Sequence, residues 1–206
     1  MGVAGKLDSE YFLDLQTMTG WGKTLTAFAE WCQPQKGWLA LDIGCGPGLL
    51  PALFQRLGCI ALGIDMDDAM FAPQPLHPLV AHADGHSLPF PQACFNLVTA
   101  SNLLFLLADP RPLLFEVTRV LKPGGEAALL NASELLTRNA EIMFADQRNL
   151  QGLARDTFLN WAARAEKNHR WDRAQMIALL ESVGLTFYET ELRIGAGFAR
   201  FSRARL

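Results

Sequence analysis

The residues best suited to chemistry are three glycines between two apolar segments. The segment LDIGCGPG, residues 41–48, carries them at positions 44, 46 and 48, after a short apolar run and before one with helical spacing. Glycine has no Cβ, so the backbone can turn sharply there and a ligand can approach closely. The helix start that follows offers unpaired N–H groups. Alone the turn is a weak signal, because a tight turn without a ligand has the same pattern.

Acidic residues follow the next two apolar runs. Asp65 ends the run 60–64, and Asp84 ends the run 79–83. Ligands of open α/β sheets bind at the carboxyl ends of the strands, where a carboxylate can accept both hydroxyls of a ribose. Asp84 could accept a hydrogen bond from an adenine amino group, and the N–H of Gly85 could approach the ring. Either acid alone could simply cap a helix, but together with the glycine turn they predict one nucleoside across this edge.

Strand-like and helix-like runs alternate along the chain, which predicts parallel strands joined by crossover helices. The segment 11–32 has helical spacing, and Gly20 and Gly22 allow either one helix or two with a break between them. A further helix opens at Asp109 and is broken by KPGG, residues 122–125, and another is capped by Asp172. The predicted strands are 38–43, 60–64, 79–83, 95–100 and 127–131, followed by a hairpin at 185–192 and 198–202.

The composition excludes several classes of protein. Half of the 206 residues are hydrophobic and 19% are charged, which predicts a single folded α/β domain. A net charge of -3 argues against DNA or RNA as the main partner. The four cysteines form no C-x-x-C pair and lie near no histidine at zinc spacing, so we expect no metal. No leader and no apolar run of 18 residues is visible, so we expect a cytoplasmic protein without membrane contact.

Five segments in order carry a family resemblance. They read LDIGCGPG at 41–48, GIDMD at 63–67, ADGHSLPF at 83–90, FNLVTASNLLFLLADP at 95–110 and RVLKPGGEAALLN at 119–131. Together they resemble the class I S-adenosylmethionine-dependent methyltransferases, and most of all the branch that includes the quinone-biosynthesis C-methyltransferases. The resemblance implies a Rossmann-like, seven-stranded, mostly parallel sheet with helices on both faces and an antiparallel C-terminal strand. It also implies S-adenosylmethionine as cofactor and a small-molecule substrate.

The resemblance implies roles for matching positions. The pocket for the methionine part of the cofactor would be shaped by Asp42, Gly44, Cys45, Gly46 and Gly48. Asp65 would hold the ribose hydroxyls. Met66 would pack on the adenine, and Asp84 and Gly85 would contact its edge. The implied cofactor-binding residues are Asp42, Gly44, Cys45, Gly46, Gly48, Asp65, Met66, Asp84, Gly85 and Ser101.

Substrate residues are expected near the transferred methyl group. Asn102 follows Ser101 just past the fourth strand, and Phe105 offers an aromatic face. The family's N-terminal segment often closes over the cofactor, which makes Tyr11 and Trp21 candidates, although both could equally be core residues of an amphipathic helix. Within one domain, 1–206, we therefore expect an N-terminal cap at 1–36, a cofactor-binding core at 38–131, an inserted helical lid at 133–170, and a C-terminal helix and hairpin at 172–206.

Several questions stay open from the sequence. Positioning alone could drive in-line methyl transfer, and His82, His86 and His169 are candidate bases among which the sequence does not choose. A nicotinamide oxidoreductase would need glycine at 49, where this chain has Leu49. A non-catalytic cofactor-binding protein is the other alternative. The prolines at 73, 75 and 78 replace a helix that is usual in the family, so that connection is expected to be short or non-helical.

Overall fold

The computed structural model describes residues 8–71 and 78–206. The predicted non-helical connection depends on Pro73 and Pro75, which lie outside the described residues. Just before them, Asp68–Met70 forms a single 3-10 turn.

Seven strands of the described chain form one sheet in the order β3-β2-β1-β4-β5-β7-β6. The first five run parallel, and β7 is antiparallel to both β5 and β6. This confirms the predicted fold class, including the antiparallel strand near the end of the chain. The strands are β1 Leu39–Ile43, β2 Ile60–Asp65, β3 Val80–His82, β4 Phe95–Ser101, β5 Leu121–Ala132, β6 Thr186–Arg193 and β7 Ala199–Arg205.

Three helices of the described chain begin at a side chain that caps their first turn. Thr19 separates the chain's first two helices and caps the second, since its hydroxyl oxygen accepts from the N–H of Trp21 at 3.1 Å. Asp172 and Gln175 form a complete capping box at the last helix. The helices are α1 Asp8–Met18, α2 Gly20–Trp31, α3 Leu49–Arg56, α4 Arg111–Val120, α5 Arg138–Gln147, α6 Gly152–Lys167 and α7 Arg173–Glu181.

Three strands differ most from the prediction. β3 has three residues instead of five, β5 begins at Leu121 instead of 127, and β7 ends at Arg205 instead of 202. Leu121 pairs with Phe95, and the register then shifts across the KPGG segment before regular pairing resumes. The N–H of Leu206 donates to the carbonyl of Gly125 at 3.0 Å. Hydrogen bonds with Leu206, the residue after β7, therefore hold this glycine-containing turn against the sheet.

The sheet is buried on both faces, as continuous apolar strands predict. Leu41 and Ile43 pack on the face covered by α4 and α7, and Ala40 and Leu97 pack on the face covered by α2 and α3. A third, smaller apolar cluster holds α5 and α6 beyond the ends of the strands. Within 8–71 and 78–206, no helix combines the length and apolarity needed to cross a membrane.

Candidate active site

A cavity of about 590 Å³ opens where β1 and β4 end. The loop after β1 and residues 101–102 at the end of β4 form one part of its wall, and α1, α2, α5 and α6 contribute most of the rest. Its size is that of a small-molecule or cofactor site. The cavity therefore lies at the sheet edge that the glycine loop predicts.

The glycine loop is held to the next strand. The N–H groups of Gly44 and Cys45 both donate to the carbonyl of Ile64, at 2.8 and 3.0 Å. Gly46 has φ +51°, and a Cβ added there would have no atom within 4 Å, so its backbone borders open space. The Cys45 side chain turns the other way, and a Cβ on Gly63 would lie 2.7 Å from it. Both glycines thus keep the loop close to β2 and open to the cavity.

Asp65 links the end of β2 to this loop. Its Oδ2 accepts from the N–H of Gly46 at 2.8 Å, and its Oδ1 accepts from the N–H of Asp67 at 3.1 Å. A carboxylate has about four acceptor sites. Because the side chain is half-buried, the remaining sites can accept from a ligand on the exposed side.

Asp42 is a buried carboxyl in the wall of the cavity. It is 2% exposed, and its Oδ1 accepts from the hydroxyl of Thr99 at 2.7 Å. Burial raises the pKa of Asp42 to about 7, against the lowering effect of the Thr99 hydrogen bond, and the nearby Asp65 raises it further. Asp42 is therefore suited to a cationic ligand group, whose charge would favour the ionised carboxylate.

The predicted adenine side is an exposed edge outside the cavity. Met66 is 69% exposed, and Asp84 Oδ1 accepts from the N–H of His86 at 2.9 Å. This hydrogen bond lowers the pKa of Asp84, as does the His86 ring, whose Nδ1 lies 2.9 Å from the same oxygen. Gly85 is buried, and a Cβ there would lie 2.9 Å from Ile43, so packing alone requires glycine at this position.

The predicted site residues divide into two groups by position. One group lines the cavity, and it includes every predicted substrate residue: Asp42, Gly44, Cys45, Gly46, Ser101, Tyr11, Trp21, Asn102 and Phe105. The other group lies along β2, β3 and the start of α3, outside the cavity wall: Gly48, Asp65, Met66, Asp84 and Gly85. Gly48 has φ +91° and a Cβ there would lie 2.7 Å from Pro78, so this glycine faces protein.

Trp161 connects three walls of the cavity. Its indole Nε1 donates to Asn102 Oδ1 at 3.2 Å, and its ring centroid lies 5.8 Å from that of Trp21. Helix α6, helix α2 and the loop after β4 therefore meet at one indole ring.

Six further residues of the cavity wall were not predicted from the sequence as site residues. Three are aromatic and three are cationic: Phe12, Phe144, Phe158, Lys23, Arg148 and Arg164. Helical spacing was the available signal, since Phe158, Trp161 and Arg164 recur every three residues and share one face of α6. An apolar stripe on a helix predicts packing equally well, so the pattern alone did not identify a cavity wall.

The candidate bases do not line the cavity. His82 Nε2 lies 2.9 Å from the carbonyl oxygen of Met66, and His86 contacts Asp84. The ring of His169 stacks on Trp171, with the centroids 5.7 Å apart. Among the described residues, the cavity wall contains no histidine.

Comparison with known proteins places residues 41–129 in a known family. This segment matches the Methyltransf_11 family, described as a methyltransferase domain. A ubiquinone biosynthesis O-methyltransferase from Nitrobacter winogradskyi is 32% identical over 144 residues, 65% of this chain and 49% of that protein. One from Pseudomonas aeruginosa is 28% identical over 156 residues, 71% of this chain and 67% of that protein. The chain thus spans about half to two thirds of these relatives' lengths.

A solved structure shares the whole fold. A chain of the complex that contains the Haloferax volcanii Trm112 methyltransferase activator superposes with a TM-score of 0.68 at 17% identity, covering 99% of both chains. At this identity the likeness shows the fold. By name both sequence relatives are O-methyltransferases, whereas the resemblance noted in the sequence is to C-methyltransferases of the same branch.

Proposed function

We propose that this chain methylates a small molecule, because it belongs to the class I S-adenosylmethionine-dependent methyltransferases, in the branch that includes quinone-biosynthesis enzymes. The observation that carries the proposal is the cavity of about 590 Å³ with the Gly46 backbone and the Asp42 carboxyl in its wall. This part of the wall suits the amino-acid end of a cofactor. The aromatic side chains on the helices that form the rest of the wall suit a small acceptor molecule.

The residues present fit S-adenosylmethionine. Gly46 borders space that a side chain would fill, and Asp42 can pair with an ammonium group. Asp65 can accept from ribose hydroxyls on its exposed side, and Met66 and Asp84 extend the edge where an adenine would lie. We assign cofactor binding to these residues together with Gly44, Cys45 and Ser101, and structural roles to Gly48 and Gly85.

Held by these residues, S-adenosylmethionine would supply an electrophilic methyl group for transfer to a nucleophilic atom of the acceptor. The chain's own residues orient the acceptor. Holding two reactants in line can supply about 7–11 kcal/mol. Phe105, Trp21 and Trp161 exclude water from the cavity and present aromatic faces, which attract a cationic sulfur by about 0.5–2 kcal/mol.

We propose that the helices at 1–36 and 133–170 act as cap and lid over the cofactor-binding core at 38–131. Support comes from the cavity wall, to which α1 and α2 contribute Tyr11 and Trp21, and α5 and α6 contribute Phe144 and Trp161. The four cysteines are free thiols, which supports the further proposal that the enzyme works in the reducing cytoplasm.

Calorimetry with S-adenosylhomocysteine tests the proposal directly. We expect binding to the parent protein, weaker binding to Asp65→Ala, and parent-like binding to the control Asp68→Ala, whose carboxylate is exposed on the neighbouring 3-10 turn. Absence of binding to the parent would refute the cofactor assignment. Binding without transfer of labelled methyl groups to any compound in a broad acceptor screen would favour the non-catalytic binding protein.

A further inference from the structure

We infer that the methyl acceptor is a flat, apolar acid whose anionic group is held by Lys23, Arg148 and Arg164. The inference rests on the proposed function, because it names the substrate class of the same cavity. It depends on the charge of the cavity wall, on the position of Arg148 and Arg164 in the α5–α6 segment, and on the aromatic surface between them and Asn102.

The cavity wall is cationic although the chain is not. Lys23, Arg148 and Arg164 line it, and Asp42 is the acid among its described residues, already engaged with Thr99. The whole chain has a net charge of -3. A cationic opening on an acidic protein attracts anions to that opening.

The three cations lack an ion pair such as the neighbouring Arg155 makes. Arg155, on the same helix as Arg164, pairs with Asp146 at 2.8 Å. Across the described residues, no carboxylate pairs with Lys23, Arg148 or Arg164. All three are exposed residues at the cavity, so their charges are available to a ligand.

The position of Arg164 separates the anion from the reacting atom. Arg164 follows Trp161 by three residues on one face of α6, so its Cα lies about 4.5 Å further along the helix axis. Trp161 itself donates a hydrogen bond to Asn102. Asn102 is expected to lie next to the transferred methyl group. The anion would therefore be held beside Arg164, further along α6 than the Trp161–Asn102 contact.

Aromatic side chains line the same part of the cavity wall. Trp21 and Trp161 lie 5.8 Å apart, and Phe158 lies 6.1 Å from Trp161. The Arg148 guanidinium lies 5.5 Å from the ring centre of Phe144, so cation and apolar surface adjoin. Flat rings stack well on such surfaces, which favours an aromatic body with an acidic substituent.

The cofactor's own carboxylate is a second source of the same chemistry. Both arginines belong to the α5–α6 segment, whereas the expected methionine pocket is built by residues 42–47 after β1. This placement favours the acceptor. The experiment below separates the two sources.

Calorimetry with 2-naphthoate and its neutral analogue 2-naphthamide tests the inference on the full chain, with and without saturating S-adenosylhomocysteine. We expect the parent to bind naphthoate roughly tenfold more tightly than naphthamide, because a hydrogen bond to a charged group contributes that much. Arg148→Gln and Arg164→Gln should each reduce this preference several-fold, and the preference should fall as salt is added. Arg155→Gln, an equal charge change outside the cavity wall, should keep it.

Three results would overturn the inference. The first is equal affinity of the parent for the two probes. The second is an unchanged preference in Arg148→Gln and Arg164→Gln. The third is weaker binding of S-adenosylhomocysteine in those variants, which would assign the cations to the cofactor. If the parent does not bind S-adenosylhomocysteine at all, the proposed function is refuted instead. The naphthoate titration in the absence of S-adenosylhomocysteine still measures whether the three cations bind an anion.

Discussion

The indole N–H of Trp161 donates to the side-chain oxygen of Asn102 at 3.2 Å, across 59 residues of sequence. Asn102 has φ +53°, a left-handed conformation that asparagine tolerates better than most residues. The hydrogen bond joins helix α6, part of the proposed lid, to the loop directly after β4. This contact therefore helps to position the proposed lid relative to the site proposed for methyl transfer.

Trp161→Phe should loosen the lid while keeping most of the aromatic surface. Loss of a hydrogen bond of this kind costs about 1 kcal/mol, so we expect faster amide exchange in residues 152–167 and a higher KM for the acceptor. Affinity for S-adenosylhomocysteine should change little. Hydrogen exchange followed by mass spectrometry measures the first effect, with Trp38→Phe, outside the cavity wall, as control. Parent-like exchange in Trp161→Phe would show that the bond does not hold the lid.

The Asp42 carboxyl should make cofactor affinity depend on pH. Its pKa is raised to about 7 by burial, so below pH 7 it is protonated and cannot pair with an ammonium group unless it loses the proton. We expect affinity for S-adenosylhomocysteine to fall by up to about tenfold per pH unit below 7 and to level off above it. Calorimetry between pH 5.5 and 8.5 measures this pH dependence of the affinity. Both limits lie roughly one to two units from the expected midpoint.

Two variants identify the group responsible. Asp42→Asn should remove the pH dependence and bind more weakly than the parent at high pH. Thr99→Val removes the hydroxyl that favours the ionised carboxylate, so its midpoint should move to higher pH. If the parent's affinity is flat across this range, Asp42 does not pair with the ligand.

Glu141→Gln should stabilise the protein above neutral pH. Glu141 is 3% exposed on α5, its Oε2 has no hydrogen-bond partner among the described residues, and burial raises its pKa to about 7. Because the folded-state pKa lies above the ordinary 4.5, stability is lost as pH rises from about 4.5 to 7. We expect Glu141→Gln to raise the free energy of unfolding by about 1–2 kcal/mol at pH 8.

The effect should disappear in acid. At pH 4, where the carboxyl is protonated in both states, Glu141→Gln and the parent should unfold at the same urea concentration. Asp156→Asn, an exposed change on the neighbouring helix α6, serves as control and should be neutral at both pH values. Equal stability of Glu141→Gln and parent at pH 8 would contradict the assignment.

Gly63→Ala should displace the glycine loop, because Gly63 on β2 packs against it. The added Cβ would lie 2.7 Å from the Cys45 side chain and 2.9 Å from Pro51, so the loop or β2 must shift. Overpacking of this kind costs about 1–3 kcal/mol, and binding of S-adenosylhomocysteine should weaken with it. Gly20→Ala, where no atom lies within 4 Å, should be neutral or stabilising. Thermal unfolding and calorimetry of both variants decide whether loop position matters.

The order of elements was predictable because each strand has a local signature. Apolar runs ending at Asp65 or opening at Phe95 predicted strands that the structure contains, and Asp172 predicted a helix start. The predicted start of β5 was wrong, because the residues before 127 are held in place by a hydrogen bond between Gly125 and Leu206, which is distant in sequence. Local pattern specifies which element forms, whereas its ends depend on tertiary hydrogen bonds.

The two halves of the site differ in the same way. Gly46 and Asp42 stand in a compact motif, so the sequence alone indicated a ligand near them. Arg148 and Arg164 belong to amphipathic helices whose spacing is that of ordinary packing. Their common cavity exists only because α5 and α6 fold over the ends of the strands, which no local pattern specifies.

The antiparallel strand β7 lies between β5 and β6, and this affects how the chain is made. During translation β6 emerges first, yet among the described strands β7 is its neighbour in the sheet. Until residues 199–205 leave the ribosome, β6 stays unpaired and the inner position beside β5 is empty. The five parallel strands β1–β5 can pair earlier, but the seven-stranded sheet is complete only after Arg205 has been synthesised.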